Sequence, residues 1–151
     1  MVDNWEVVEY KPEHAMKIME MNLRDKEDWL RGIEVEKWFY TWRDGGPAYT
    51  LMVDDSPIAC AGVILQGWNR GEAWSLLSTL FYQHKIKTYR LIKSGLDNII
   101  LENELRRVQT FIDAEFPASI DFIECLGFAL EGRLRAYGPH GEDYLLYSRI
   151  K

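Results

Sequence analysis

Apolar and polar residues alternate at the start of the chain and then recur at helical spacing. The segment Trp5–Tyr10 places apolar side chains at roughly every second position, which is typical of a strand. Pro12 suits the first turn of a helix, because its missing N–H has no intrahelical partner there. The apolar residues of this first predicted helix are Ala15, Ile18, Met19 and Leu23. A second helix is predicted over about Val35–Trp42 and ends at Gly45-Gly46-Pro47.

The middle of the chain has the pattern of three strands joined by short turns. Apolar, β-prone residues fill Ala48–Val53, Ile58–Leu65 and Ala73–Phe81. The intervening segments, 54–57 and 67–71, carry the Asp, Ser, Pro and Gly residues that favour turns. An antiparallel meander is therefore expected here.

The second half of the chain predicts two more helices and three more strands. The elements are a long amphipathic helix over about Lys85–Leu101, a strand at Val108–Ile112, a short helix opened by Pro117 and stopped by Gly127, and a hairpin of Ala129–Tyr137 with Asp143–Ile150. The resulting order is β-α-α-β-β-β-α-β-α-β-β. A strand, a helix and a strand in succession imply a right-handed crossover and at least one parallel pair. The expected fold is α/β (α+β), with helices on both faces of a mixed, mostly antiparallel twisted sheet.

Composition is that of one globular domain spanning residues 1–151. Hydrophobic residues make up 47% and charged residues 28% of the 151 residues. The net charge of −6 argues against general nucleic-acid binding. No apolar run is long enough to span a membrane, and no secretion signal is expected at the start of the chain. Cys60 and Cys125 lie in apolar segments and are expected to be buried free thiols, with a cytoplasmic location.

The element order resembles that of the Gcn5-related N-acetyltransferases (GNAT), and one motif supports the resemblance. Family members carry a short helix that reads approximately Asn-x-x-Ala-x-x-x-Tyr-x-x-x-Gly-Phe, and this chain keeps the ending Leu126-Gly127-Phe128. Glycine suits this position because a helix that stops sharply needs a left-handed residue there. The resemblance implies acyl transfer from acetyl-CoA, or another acyl-CoA, to an amine.

Three departures from the family pattern bear on function. Phe116 stands at the asparagine position, and Ile123 stands where many members place a tyrosine that protonates the coenzyme A sulfur. The family's glycine-rich pyrophosphate loop should lie near His84–Tyr89, yet no glycine occurs between Gly71 and Gly95.

Basic residues occupy the place of the missing glycines. The segment from Ala73 to Leu96 has no acidic residue, and its cations are Lys85, Lys87, Arg90 and Lys93. They could hold a phosphate by charge, or they could be the solvated face of an amphipathic helix, which is the commoner role of such runs. A similar glycine-poor pattern occurs in GNAT-like proteins of tailed phages, with which this chain shares Ser119-Ile120-Asp121-Phe122-Ile123. That resemblance implies a non-catalytic assembly or virion protein as the alternative.

The resemblance also indicates where a cofactor would lie. The end of the fourth strand, at Leu80, Phe81 and Tyr82, is expected to hold the pantetheine through its backbone, and Lys85, Lys87 and Thr88 are expected at the pyrophosphate. The gap between the fourth and fifth strands would be plugged if Tyr89 or Phe116 filled it.

The acceptor and the catalytic groups are less well indicated. Trp29 and Trp38 fall in the region that lines the acceptor site in the family, although tryptophans are more often core residues. Asp113 and Glu72 are candidate bases, with turn capping and surface exposure as the alternatives, and Tyr137 is a candidate proton donor. The three histidines have no ligand spacing, so no metal is expected. The expected partner is a small-molecule or protein amine, and a homodimer is one alternative for the assembly.

Overall fold

A computed structural model describes residues 3–21 and 35–151. It contains these elements in chain order: β1 (Trp5–Glu9), α1 (Pro12–Glu20), α2 (Glu36–Gly45), β2 (Ala48–Val53), β3 (Ser56–Gly67), β4 (Arg70–Leu77), a 3₁₀ helix (Thr79–Gln83), α3 (Lys85–Glu102), β5 (Arg107–Asp113), α4 (Pro117–Cys125), β6 (Ala129–Leu134) and β7 (Tyr144–Ile150). The element order is the one that the sequence predicted.

The strands form one mixed sheet in the order β1-β2-β3-β4-β5-β7-β6. The pair β4–β5 is parallel and the other five neighbouring pairs are antiparallel. Helix α3 connects the two parallel strands, as the crossover rule requires. The predicted fold class, a mostly antiparallel sheet with helices on both faces, is confirmed.

Alternation along the strands divides the core between the two faces of the sheet. Cys60 and Leu76 pack with α1 and α2 on one face, around Tyr10, Ile18 and Phe39. The other face is covered by α3 and α4, whose buried residues include Leu96, Ile99, Ile123 and Leu126. We call these the α1/α2 face and the α3/α4 face.

Two details differ from the sequence interpretation. Strand β4 ends at Leu77 rather than at Phe81, because the Ser78 hydroxyl accepts a hydrogen bond from the Leu80 N–H at 3.2 Å and starts the 3₁₀ helix. Cys60 is buried as expected, whereas Cys125 is exposed at the end of α4.

Helix α4 ends as the Leu-Gly-Phe motif predicted. Gly127 has a φ of +92°, and the Phe128 N–H donates to the Ile123 carbonyl at 3.2 Å. This is the Schellman arrangement, in which a left-handed residue turns the chain out of the helix and into the next strand. Among the helices described, none has the length and apolar character needed to cross a bilayer.

Candidate functional site

The two parallel strands separate part-way along their length. Cα partners join Arg70–Glu72 of β4 to Arg107–Gln109 of β5. One residue further, the Thr110 hydroxyl donates to the Ala73 carbonyl at 3.0 Å. Both strands then continue, β4 to Leu77 and β5 to Asp113, without pairing to each other. The result is a V-shaped gap at the carboxyl ends of β4 and β5.

The β4 side of this gap presents strand backbone. The Ala73 carbonyl points toward β5, and the N–H and C=O groups of alternate residues lie on the same edge of a strand. The N–H and C=O of Ser75 therefore point into the gap, where no strand of residues 3–21 and 35–151 pairs with them. An extended chain with amide groups could pair with this edge as an added strand does.

A cavity of about 130 Å³ connects the gap with the interior of the α3/α4 face. Trp74, Ser75 and Thr110 line it at the gap, and Ile92 and Phe122 line it between the two helices. Ser75 is exposed, so the cavity reaches the surface there. The lining is mostly apolar, which suits a ligand that passes between α3 and α4.

Neither of the two side chains that could have plugged the gap, Tyr89 and Phe116, does so. The Tyr89 hydroxyl donates to the Cys125 carbonyl at 2.8 Å, which ties α3 to the end of α4. Phe116 is buried at the start of α4. Neither residue lines the cavity at the gap.

The residues predicted for the cofactor divide into two groups. Lys85 and Lys87 are exposed at the first turn of α3, and the Lys87 ammonium lies 4.4 Å from the centre of the Trp5 ring. The His84 side chain at the N-cap makes no capping hydrogen bond, so it does not satisfy the first-turn N–H groups, which carry the positive end of the helix dipole.

The second group lies elsewhere than expected. Leu80, Phe81 and Tyr82 belong to the 3₁₀ helix, so their backbone does not continue the strand edge. Phe81 is buried, and Thr88 has 0% exposure with no hydrogen-bond partner for its hydroxyl within the described part of the chain. Sequence reasoning missed Ser75 in this role, although Ser78 is a typical helix-capping residue and could have shown that the strand ends early.

Glu72 lies on the α1/α2 face, in the last register before β4 and β5 separate. Trp74, two residues further along β4, packs on the same face. The Glu72 side chain is half-buried and accepts a hydrogen bond from the Gln66 amide at 3.1 Å. Burial raises the pKa of the Glu72 carboxyl above its ordinary value, because desolvation disfavours the charged form. A carboxyl with a raised pKa is a better proton acceptor near neutral pH.

Aromatic rings flank the gap on this same face. Trp74 of β4 stacks on Trp42 of α2, with ring centres 4.2 Å apart and an interplanar angle of 10°. Phe111 of β5 lies at the level of Trp74 and stacks on Tyr137, with ring centres 5.2 Å apart. The gap therefore opens on the α1/α2 face between two stacked aromatic pairs.

The remaining predicted residues are also placed. Asp113 ends β5, and its carboxylate accepts a hydrogen bond from the Glu115 N–H at 2.9 Å, which is the turn-capping role weighed as the alternative. Tyr137 is 53% exposed beside Phe111. Trp38 is 39% exposed and takes no part in the Trp42–Trp74 stack, and Trp29 lies outside the described residues.

Residues 3–21 and 35–151 contain no group of three or more His, Cys, Asp and Glu residues placed to bind a metal ion. His14 instead lies 2.7 Å from the Thr50 hydroxyl, and burial lowers its pKa.

Sequence comparisons and structural comparisons give different results. No protein-family profile matches the sequence, and no curated protein matches it significantly. Solved structures of acetyltransferases, in contrast, superimpose over nearly the whole chain.

Three solved structures illustrate this similarity. The ribosomal-protein-S18-alanine N-acetyltransferase from Escherichia coli has a TM-score of 0.76 at 16% identity, covering 99% of this chain and 94% of its own. A GNAT-family acetyltransferase from Streptococcus pneumoniae has a TM-score of 0.72 at 11% identity, covering 97% and 99%. A mutant of the spermidine N-acetyltransferase from Vibrio cholerae has a TM-score of 0.73 at 15% identity, covering 97% and 93%. This chain has the fold of the GNAT acetyltransferases.

Proposed function

We propose that the protein is an acyl-CoA-dependent N-acyltransferase that transfers an acetyl or related acyl group to an amine. The observation that carries this proposal is the gap between β4 and β5, with free strand edge on one side and a half-buried carboxyl at its start. A parting of two hydrogen-bonded strands leaves backbone groups without partners, and a ligand rich in amides satisfies them.

The gap fits the pantetheine arm of coenzyme A. The arm carries amide groups, which can pair with the N–H and C=O of Ser75. The apolar cavity between α3 and α4 can take the hydrocarbon parts of the arm. Ser75 thus replaces Leu80, Phe81 and Tyr82 as the proposed backbone contact.

The pyrophosphate has a different binding site from the one that a glycine-rich loop provides. The Lys85 and Lys87 ammonium groups and the N–H groups of the first turn of α3 are the donors available there. The positive charges of this helix start are not balanced by an acidic residue between Ala73 and Leu96. These residues fit a phosphate held mainly by charge.

Glu72 is the proposed base for the transfer. Acetyl-CoA would supply an acyl thioester, whose C–S bond breaks as the nitrogen of the neutral amine forms the new C–N bond, and coenzyme A leaves as a thiolate that takes a proton from solvent. The proton that the amine loses passes to Glu72, directly or through one water molecule. Asp113 and Tyr137 remain secondary candidates, because Asp113 already caps a turn and Tyr137 lies at the exposed edge of the gap.

The aromatic pairs on the α1/α2 face favour a cationic amine as the acceptor. Faces of Trp, Tyr and Phe attract ammonium groups, and Glu72 adds a negative charge when it is ionised. Two of the proteins with this fold are named for amine acceptors, an alanine of a ribosomal protein and spermidine. The acceptor of this chain stays a prediction at the level of an amine, small or on a protein.

Binding and turnover test the proposal separately. Calorimetric titration with acetyl-CoA should show saturable binding, and coenzyme A thiol should appear when amines from a panel are added. The absence of both heat and thermal shift at millimolar acetyl-CoA would contradict the proposal.

A non-catalytic role is the second candidate. It is favoured by Ile123, a buried aliphatic side chain at the position of the family's acid, and by Phe116 at the position of the asparagine. Saturable acetyl-CoA binding with turnover would exclude it. The phage-like origin, a cytoplasmic or virion location and a homodimer stay predictions from the sequence.

A further inference from the structure

The lining of the cavity at the gap extends beneath α3 from β4 across β3 to β2. This branch of the lining lies on the α3/α4 face of those strands. Its lining residues are Tyr49, Leu51, Ala59, Ala61, Leu91 and Gly95, and we call it the α3 channel.

The channel begins at the gap itself. Ala61 of β3 is the register partner of Ser75 of β4, and Tyr49 of β2 is the register partner of Ala61. A path from Ser75 over Ala61 to Tyr49 therefore crosses two interstrand spacings, about 10 Å in all. The channel opens at its far end, where Val7 is 54% exposed and Tyr49 is 42% exposed.

Small residues keep the channel free. Alanines stand at 59 and 61 on its floor, and Gly95 stands in its roof, in the middle of α3. A Cβ at Gly95 would meet no atom within 4 Å. Leu91 lies four residues earlier on the same stripe of the helix and packs against the cluster that includes Leu51 of β2 and Ala59 of β3. Gly95 therefore lies over this branch. Glycine in a helix interior is unfavourable relative to alanine, and close packing does not require it here.

We propose that the α3 channel binds the hydrocarbon tail of an acyl group longer than acetyl, so that the acyl donor is a medium-chain acyl-CoA. The proposal rests on the proposed function, which places the pantetheine along Ser75 and therefore its thioester beside Ser75 at the gap. The whole cavity, gap included, has a volume of about 130 Å³, close to that of a roughly 150 Å³ apolar cavity that holds benzene, so a tail of about six carbons is the upper limit. The walls are apolar, and the lining residues in the described part of the chain include no charged group, which suits a hydrocarbon.

A chain-length series tests the channel. Calorimetry with acetyl-CoA, hexanoyl-CoA and palmitoyl-CoA should give hexanoyl-CoA at least about tenfold the affinity of acetyl-CoA, because each buried methylene adds to binding. Gly95→Leu should reduce hexanoyl-CoA to the affinity of acetyl-CoA, since its side chain would occupy the channel. Gly132→Leu is the matched control, because a Cβ there also meets nothing within 4 Å and it lies on β6, outside the cavity.

A probe without coenzyme A separates this proposal from the proposed function. Hexanoate should bind the unmodified protein and the Gly132→Leu variant, and should bind Gly95→Leu at least about tenfold more weakly. If no acyl-CoA binds, but hexanoate binds and binds more weakly to Gly95→Leu, the acyltransferase proposal fails and the apolar site stands. Equal affinities for acetyl-CoA and hexanoyl-CoA, or hexanoate binding that Gly95→Leu leaves unchanged, would overturn the channel. Loss of hexanoate binding altogether would overturn it as well.

Discussion

Glu72 differs from an ordinary surface carboxylate in its partial burial and in its position beside the gap. Its side chain is desolvated enough to raise its pKa, and it stands in the last paired register before the gap opens. Ionisation of such a group lowers the stability of the folded protein, because burial disfavours the charged form.

The substitution Glu72→Gln should separate these effects on activity. We expect kcat/KM to fall by about 100-fold or more, the range typical of a lost general base, with little change in acetyl-CoA affinity. In the unmodified protein, activity should decline as the pH falls through the raised pKa of Glu72, and the variant should lack this decline. Glu6→Gln, an exposed change on β1, is the control. Full activity in the Glu72 variant would assign the base elsewhere, with Asp113 as the first residue to substitute.

The same substitution should stabilise the folded protein at neutral pH. Because the folded-state pKa of Glu72 lies above that of the unfolded chain, stability is lost as the pH rises from the ordinary pKa through the raised one. Glutamine keeps the hydrogen bond to Gln66 and removes this loss. Thermal unfolding should therefore give Glu72→Gln a higher Tm than the unmodified protein at pH 7 and an equal Tm near pH 3. A lower Tm at pH 7 would show that the carboxylate is stabilised by its surroundings.

Two glycines should respond in opposite directions to alanine. Gly127 has a φ of +92°, so Gly127→Ala should lower the free energy of unfolding by about 1 kcal/mol. Gly95 lies in the interior of α3 with open space around a Cβ, so Gly95→Ala should raise it by about 0.5–1 kcal/mol. Denaturant titration of both variants measures the difference. A destabilised Gly95→Ala would mean that the channel closes in solution and that the glycine is needed for packing.

At the scale of elements, the end of β4 decides which backbone is available to a ligand. The strand edge stays open at Ser75 because the next residues turn away into a 3₁₀ helix. Ser78 controls that turn, since its fully buried hydroxyl accepts from the Leu80 N–H. The 3₁₀ helix in turn places the start of α3, with Lys85 and Lys87, beyond the gap.

Ser78→Ala should therefore weaken both the fold and the site. Loss of an N-cap hydroxyl typically costs about 1 kcal/mol of stability. We also expect weaker acetyl-CoA binding, because α3 would start in a less defined position. Ser94→Ala, an exposed position within α3, is the control and should be neutral or slightly stabilising. An unchanged free energy of unfolding in Ser78→Ala would show that packing of Phe81 alone sets the end of the strand.

Sequence patterns predicted elements better than they predicted contacts. Alternation and helical spacing depend on local burial, so the strand at Val108–Ile112 and the helix from Lys85 could be read from the chain. The strand predicted to Phe81 was too long, because Leu80 and Phe81 are apolar and a hydroxyl-to-backbone bond at Ser78 outweighs their strand preference. The pattern of apolar and polar residues does not reveal such a hydrogen bond.

Only those parts of the candidate site that lie within a single strand or helix could be predicted from the sequence. Glu72 and the basic start of α3 could be proposed from neighbouring residues along the chain, and their roles stay predictions. The pairing of Trp42 with Trp74, and of Phe111 with Tyr137, joins residues that are 32 and 26 positions apart. Such contacts depend on sheet order and on which face each side chain occupies, and these are properties of the assembled fold.

The whole molecule carries a net charge of −6, so the basic start of α3 is a local region of positive charge on a negatively charged protein. Lys93 pairs with Asp97 at 3.5 Å, and the Asp3 carboxylate lies 3.8 Å from His84 Nδ1 at the N-cap of α3, whereas residues 73–96 themselves contain no acid. At 0.1 M ionic strength, salt screens charge interactions over a distance of about 10 Å. Added salt should therefore weaken the attraction between a phosphate and exposed ammonium groups there. A phosphate cradled by backbone N–H groups at close range would be less sensitive.

Coenzyme A binding should consequently depend on ionic strength. We expect the Kd for acetyl-CoA to rise several-fold between about 0.05 and 0.5 M salt, and the double substitution Lys85→Gln, Lys87→Gln to weaken binding about tenfold at low salt. The salt dependence should also flatten in this variant, because the charges that produce it are gone. Lys17→Gln, Lys151→Gln is the charge-matched control at exposed positions away from the start of α3. If the control and the α3 variant weaken binding equally, the long-range field of the protein attracts the ligand and the helix start is not the phosphate site. If salt changes nothing in the unmodified protein, backbone contacts hold the phosphate despite the missing glycines.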